Sequence, residues 1–104
     1  MKTLRQLIKQ TKKITKKFPD PHWKAETRFV DLVEEIGELA NAILVAEKRK
    51  SKKRQKAEIA DSLCDCLWNI FILADIYGID LDSEYQTVLK DVEKRISQGD
   101  FNYS

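Results

Sequence analysis

Apolar residues recur along most of this chain at intervals of three and four, the spacing of one helix face, and no stretch alternates residue by residue as a half-buried strand would. The pattern predicts four helices. The first spans about residues 3–17, with Leu4, Leu7, Ile8, Thr11 and Ile14 on one face. Phe18-Pro19-Asp20-Pro21 stops it, since each proline disfavours helix in the residue before it. The second covers about 24–47, and its stripe of Phe29, Leu32, Val33, Ile36, Leu39, Ala40, Ile43 and Leu44 is expected to face the chain's own core. The third covers about 54–77, with Ile59, Leu63, Cys66, Leu67, Ile70, Phe71, Ala74 and Tyr77 aligned, and Gly78 suits the left-handed position beyond its end. Asp80 or Asp82 caps a fourth, about 82–97, with Tyr85, Val88, Leu89, Val92 and Ile96 inward and Gly99 ending it.

The two central helices carry a second stripe. At 100° per residue, Asp31, Glu35, Glu38, Ala42 and Val45 fall together on one helix, and Glu58, Asp61, Asp65, Trp68, Ile72 and Ile76 on the next. A purely solvated face would not align Val45, Trp68, Ile72 and Ile76 with acids. Both helices are therefore expected to be covered on two sides, once within the chain and once by a second subunit. A turn centred at Arg49-Lys50 sets Glu38 opposite Asp61 and Glu35 opposite Asp65. Local cations are scarce: no Lys or Arg occurs from Val30 to Glu47 or from Ala57 to Leu89. Carboxylates gathered without partners repel and are costly to bury, and a hard divalent cation removes that cost. Oxygen-only ligands select Mg²⁺, Mn²⁺ or Ca²⁺, and a single histidine, His22, with two cysteines two apart argues against zinc.

Composition narrows the setting. A chain of 104 residues holds one domain, here 1–104, with a basic helix and turn at 1–21 and a core at 22–98. Apolar residues at 42% exclude a disordered chain, and no uncharged run is long enough for a membrane span. Cys64 and Cys66 point apart on a helix, so a reduced, cytoplasmic setting is expected. Net charge is +2, yet fourteen of the nineteen Lys and Arg residues lie in Lys2–Lys17 and Lys48–Lys56. Such runs suit phosphate or nucleic acid, but they lack interleaved aromatics and any recognised nucleic-acid-binding motif.

Glu34-Glu35-Ile36-Gly37-Glu38-Leu39-Ala40, followed by Glu58-Ile59-Ala60-Asp61, resembles the paired acidic motif of the MazG-like nucleoside triphosphate pyrophosphohydrolases. Leu73-Ala74-Asp75-Ile76-Tyr77-Gly78-Ile79-Asp80-Leu81 and the pair Lys94-Arg95 extend the likeness over about residues 22–96. The resemblance implies an all-α, four-helix bundle that oligomerises through its central helices as a homodimer or homotetramer. It implies hydrolysis of a nucleoside or deoxynucleoside triphosphate to the monophosphate and pyrophosphate, as housecleaning of the nucleotide pool. Carried over by residue, Glu35, Glu38, Glu58 and Asp61 hold Mg²⁺, with Mn²⁺ able to substitute. Glu34 binds a further metal or orients the attacking water, and Asp65 is a further metal or substrate residue. Substrate contacts fall to Lys94 and Arg95, to Trp23 as a base platform with Trp68 as the other option, and to Lys53 in the basic segment beside the Glu58 helix. Two alternatives stand beside this reading. One is a phosphoribosyl-ATP pyrophosphohydrolase, and the other a non-catalytic helical module that binds nucleic acid.

Overall fold

The computed structural model describes residues 1–19, 24–46 and 52–100, the side chains of 52–55 excepted. Four helices make up the described chain: α1 (Leu4–Thr15), α2 (Ala25–Ala46), α3 (Lys52–Ile76) and α4 (Leu81–Ser97), with no strand among the described residues. Three boundaries have a plain local cause. Thr3 caps α1, its hydroxyl accepting from the Gln6 N–H while the Gln6 side chain accepts from the Thr3 N–H, which satisfies two otherwise orphaned donors. Gly78 closes α3 at φ +65°, and the Ile79 N–H reaches back to the Ala74 carbonyl at 2.8 Å. Asp80 then caps α4 by accepting from the Ser83 N–H at 3.3 Å.

A Cβ at Gly78 would meet nothing within 4 Å, so only backbone conformation opposes a side chain there. Gly78→Ala is expected to cost about 1–2 kcal/mol, the penalty of a left-handed alanine. Gly78→Asn should cost less, since asparagine tolerates that region. Urea unfolding of the two variants checks the order.

The helix α3 is the mast of the fold. The most extensive contact in the chain joins it to α2, and α1 lies along another side. Both neighbours run antiparallel to it. Along α1, Arg5 pairs with Asp80 at 3.0 Å, Lys12 pairs with Asp75 at 3.0 Å, and Phe18 stacks on Trp68. Along α2, Asn69 donates to Asp31 at 2.8 Å. Residues 31 and 69 are equidistant from residue 50, as are Glu35 and Asp65, so the hairpin register lies within one residue of the pairing that the acid stripes predict.

The faces differ from expectation. In α2 the acid-bearing stripe turns toward α3, with Asp31, Glu35, Ala42 and Val45 half-buried. Most of the stripe expected to form the inner core points outward instead: Phe29 is 59% exposed, Ile36 50% and Leu44 65%, while Leu32 and Leu39 at its edge are half-buried. The physical reason is that both stripes of α2 carry apolar side chains, and only one can meet α3. The one that does combines its acids with the small Ala42, which allows close approach, and with Asn69 and Arg28 as polar partners. Val88, Leu89 and Ile96 of α4 are likewise exposed, while Leu81 and Tyr85 at its start line an apolar pocket with Leu4 of α1 and Leu67, Ile70 and Phe71 of α3. Buried apolar residues reduce to Cys66, Phe71, Ile72 and Ala74, all on α3, among the described residues. The radius of gyration is 17.2 Å, against about 13 Å for a compact chain of this length. Most of the apolar face of α2 and part of that of α4 are open to solvent in the single chain.

Candidate active site

The α2–α3 register determines which side chains meet. Spacings of three and four from Arg28 through Asp31 and Glu35 to Glu38 keep them on one face of α2, and Asp65 and Asn69 lie one turn apart on the facing side of α3. Between the helices opens a pocket of about 360 Å³. Asp31, Glu35 and Asp65 line it, with Trp68 and Phe18 as an aromatic wall and Arg28 and Asn69 completing the lining. The two rings stack at a centroid distance of 5.9 Å and an angle of 10°.

Glu35 is the electrostatic centre. One of its oxygens, Oε2, is buried without a hydrogen-bond partner. Burial, then the neighbouring charges of Glu38, Asp65 and Asp31, push its carboxyl up to about 7, and a hydrogen bond with the Glu38 side chain adds to the shift. Two carboxyl groups can share such a bond only through a proton. The same burial and the same charges of Glu35 and Asp65 push the Cys66 thiol up, so that thiol is a packing group and no nucleophile.

These observations test the fit of a metal. An orphaned, buried carboxylate oxygen and a proton held between two acids are what a hard divalent cation would replace, and the donor set is oxygen only. The acids are not gathered into a finished cage: among the described residues no group of three or more His, Cys, Asp or Glu side chains stands ready to hold an ion. The oxygen-only chemistry around Glu35 fits a divalent cation.

The other candidate residues fall in different places. Glu38 and Asp61 are exposed, and by the hairpin register Asp61 lies level with Glu38 and Leu39. Glu58 is half-buried one turn further toward the α2–α3 connection, and Glu34 is exposed on α2. Neither Glu58 nor Asp61 lines the pocket around Glu35. Lys94 and Arg95 lie in the last turn of α4, where Arg95 pairs with Asp100 at 3.6 Å; α4 packs on α1, and neither residue lines the pocket around Glu35. Trp23 lies outside the described residues. Lys53 belongs to the first turn of α3, and its side chain also lies outside them, as does most of the basic segment it comes from.

Three pocket residues escape a reading of the sequence by acid motifs. Asn69 has a signal, a lone amide in the run Cys66-Leu67-Trp68-Asn69-Ile70-Phe71-Ile72. Arg28 has one too, a cation on the acid stripe one turn before Asp31. Phe18 has none, because only tertiary contact brings the end of α1 to Trp68.

Fold and pocket together define an all-α protein with an acidic, aromatic-walled site between two antiparallel helices, suited to a polyanion bound through a divalent cation. The chain belongs to the MazG family: the MazG nucleotide pyrophosphohydrolase domain matches residues 24–99, which contain the α2–α3 hairpin and α4. Its family-level activity is accordingly hydrolysis of a nucleotide's phosphoric anhydride bond, generally dependent on a divalent metal. It is similar to the uncharacterized protein YvdC of Bacillus subtilis (strain 168), with 36% identity over 76 residues covering 65% of this chain and 72% of that one. No solved structure matches it. No helix of the described residues is long and apolar enough to cross a membrane.

Proposed function

We propose that this chain hydrolyses a nucleoside or deoxynucleoside triphosphate to the monophosphate and pyrophosphate with Mg²⁺, Mn²⁺ substituting. The observation that carries the reading is Glu35, a carboxylate held near neutral pKa with a buried orphaned oxygen in a pocket that also offers an aromatic wall. Glu35 and Glu38 would hold the metal with Glu58 and Asp61 from the facing helix, and Asp65 would supply a further oxygen. When bound, the ion supplies charge neutralisation at the phosphates and a water of lowered pKa. Water adds to the α-phosphorus, the bond to the bridging oxygen breaks, and pyrophosphate leaves with that oxygen. Trp68 stacks on the base, and closing the aromatic wall with Phe18 excludes water from the sugar end.

The outward faces of α2 and α4 support assembly as a homodimer or homotetramer. A single protomer leaves side chains such as Phe29 and Ile36 half-exposed or more, a patch larger than isolated surface residues need. The nucleotide is the partner the pocket suits, and its acidic lining disfavours nucleic acid.

The test is release of pyrophosphate from a panel of ribo- and deoxyribonucleoside triphosphates with and without Mg²⁺. We expect stoichiometric monophosphate and pyrophosphate from at least one nucleotide, abolished by EDTA. Release of single phosphates, or no metal-dependent turnover on any member, would overturn the reading.

A further inference from the structure

Arg28 is a cation almost sealed within protein, 4% exposed, yet it lines the same pocket as Glu35. It sits in the first turns of α2, with its backbone N–H bonded to the Lys24 carbonyl at 3.1 Å. Its Nη1 donates to Asn69 Oδ1 at 3.4 Å. The orientation of that amide is fixed, because Asn69 Nδ2 donates to Asp31 Oδ2 at 2.8 Å and to the Asp65 backbone carbonyl at 3.3 Å. With both amide hydrogens directed at acceptors, the Asn69 oxygen must face Arg28. Asn69 is itself only 3% exposed, so the arrangement is a built one and not a surface accident.

A buried guanidinium is expensive to desolvate, and burial pulls its pKa down while the Asp31 charge partly restores it. A core that needed only hydrogen bonds here could use a neutral side chain. A planar fork beside a metal-binding acid cluster is, however, the group best matched to a phosphate oxygen, since it can donate two parallel N–H bonds. The position also suits the ligand. Arg28 lies two turns from Glu35 on one helix face, about 10 Å along the axis, so an anion bridging the two would meet metal at one end and guanidinium at the other. Lys94 and Arg95, at the end of α4, do not line this pocket.

We propose that Arg28, oriented by Asn69, is a phosphate-binding residue that takes an oxygen of the substrate's polyphosphate chain. The assignment rests on the pyrophosphohydrolase reading above for the identity of the substrate, but its anion chemistry can be tested without turnover.

The experiment titrates inorganic tripolyphosphate with saturating Mg²⁺, and separately Mn²⁺ alone, into the wild-type chain and the variants Arg28→Gln and Arg28→Lys. Circular dichroism melts confirm that each variant is folded; if Arg28→Gln does not fold, Arg28→Lys, which keeps the charge, decides. Arg28→Gln should weaken tripolyphosphate binding at least tenfold. Arg28→Lys should fall between it and wild type, because the ammonium keeps the charge and loses the fork. Mn²⁺ affinity should hold steady in Arg28→Lys and rise in Arg28→Gln, since removing a positive charge beside Asp31 favours a cation. These opposite signs separate phosphate binding from a merely structural role, which would lower both affinities together. Tripolyphosphate binding within twofold of wild type in a folded variant, a parallel loss of both ligands, or no binding by the wild type overturns the proposal. Arg28-dependent tripolyphosphate binding in a protein that releases pyrophosphate from no nucleotide leaves the phosphate site standing and removes the hydrolytic reading instead.

Discussion

Glu35→Gln is expected to abolish metal-dependent pyrophosphate release while making the metal-free protein more stable at neutral pH. The first effect follows from removing the charged oxygen proposed to hold the metal beside the reacting phosphates. A loss on the order of 100-fold or more is the scale seen when one preorganised electrostatic partner of a transition state is deleted. The second follows from linkage. The Glu35 carboxyl ionises near 4.5 in the unfolded chain and near 7 in the folded one. Below the unfolded value both states hold the proton, and the contribution to stability is fully present. Between the two values the folded state keeps a proton that the unfolded state releases, so stability falls as pH rises and is lost through the folded pKa. Thermal melts of metal-free wild type should therefore decline from about pH 4.5 to about pH 7 more steeply than melts of Glu35→Gln, whose amide does not titrate. Mg²⁺ should reverse the decline in the wild type only, and its apparent affinity should weaken below about pH 7, where it competes with the proton. Parallel melting curves for the two proteins across that window would sink the assignment of Glu35 as the strained carboxylate.

Ile36→Asp and Phe29→Asp should convert the assembled wild type into a monomer. Both side chains lie on the outward face of α2, 50% and 59% exposed in the single chain. A stable interface removes roughly 800 Å² from each partner, and a stripe running the length of a 22-residue helix, together with that of α4, can supply it. Placing an unpaired carboxylate at the centre of such an interface costs several kcal/mol, and each 1.4 kcal/mol is a tenfold change in the dissociation constant. Self-association should weaken by about two to three orders of magnitude. Because the protomer core is small, the melting temperature should rise with protein concentration in the wild type and be lower and concentration-independent in the variants. Sedimentation reporting a 12.1 kDa species for the wild type at micromolar concentration would contradict the assembly.

These three variants probe opposite faces of one helix, and that contrast shows how far the sequence could be read. The end of α3 and the start of α4 were legible because their causes are local: a glycine that accepts φ +65° and an aspartate that caps. The hairpin register was legible to within one residue, because acids spaced on two helices have few ways of meeting across a turn. Which face of α2 meets its own chain was not. Periodicity identifies a stripe but not its partner, and a helix whose two stripes both carry apolar residues offers no sign of which is internal. Acid motifs marked Glu35, Glu38, Glu58 and Asp61, of which Glu35 lines the pocket, joined by Asp65 from one turn beyond the motif. Arg28 and Asn69 went unread because a lone cation or amide among apolar residues has meaning only once its neighbours across the hairpin are known.

The fastening of α1 has a consequence for how the site behaves in time. The helix is tied to the rest by half-exposed charge pairs, Arg5 with Asp80 and Lys12 with Asp75, and by the Arg5 N–H to Asp82, while α2 and α3 share the longest contact in the chain. Exposed pairs are weak and yield to ionic strength. The chain thus has a firm part and a loosely moored part, and the boundary between them passes through the pocket: the acids stand on the firm side, and Phe18, at the end of α1, on the moored side. Phe18 therefore joins the acids in the pocket from an element whose charge pairs weaken as salt rises, while the acids stand on the two helices that pack most extensively.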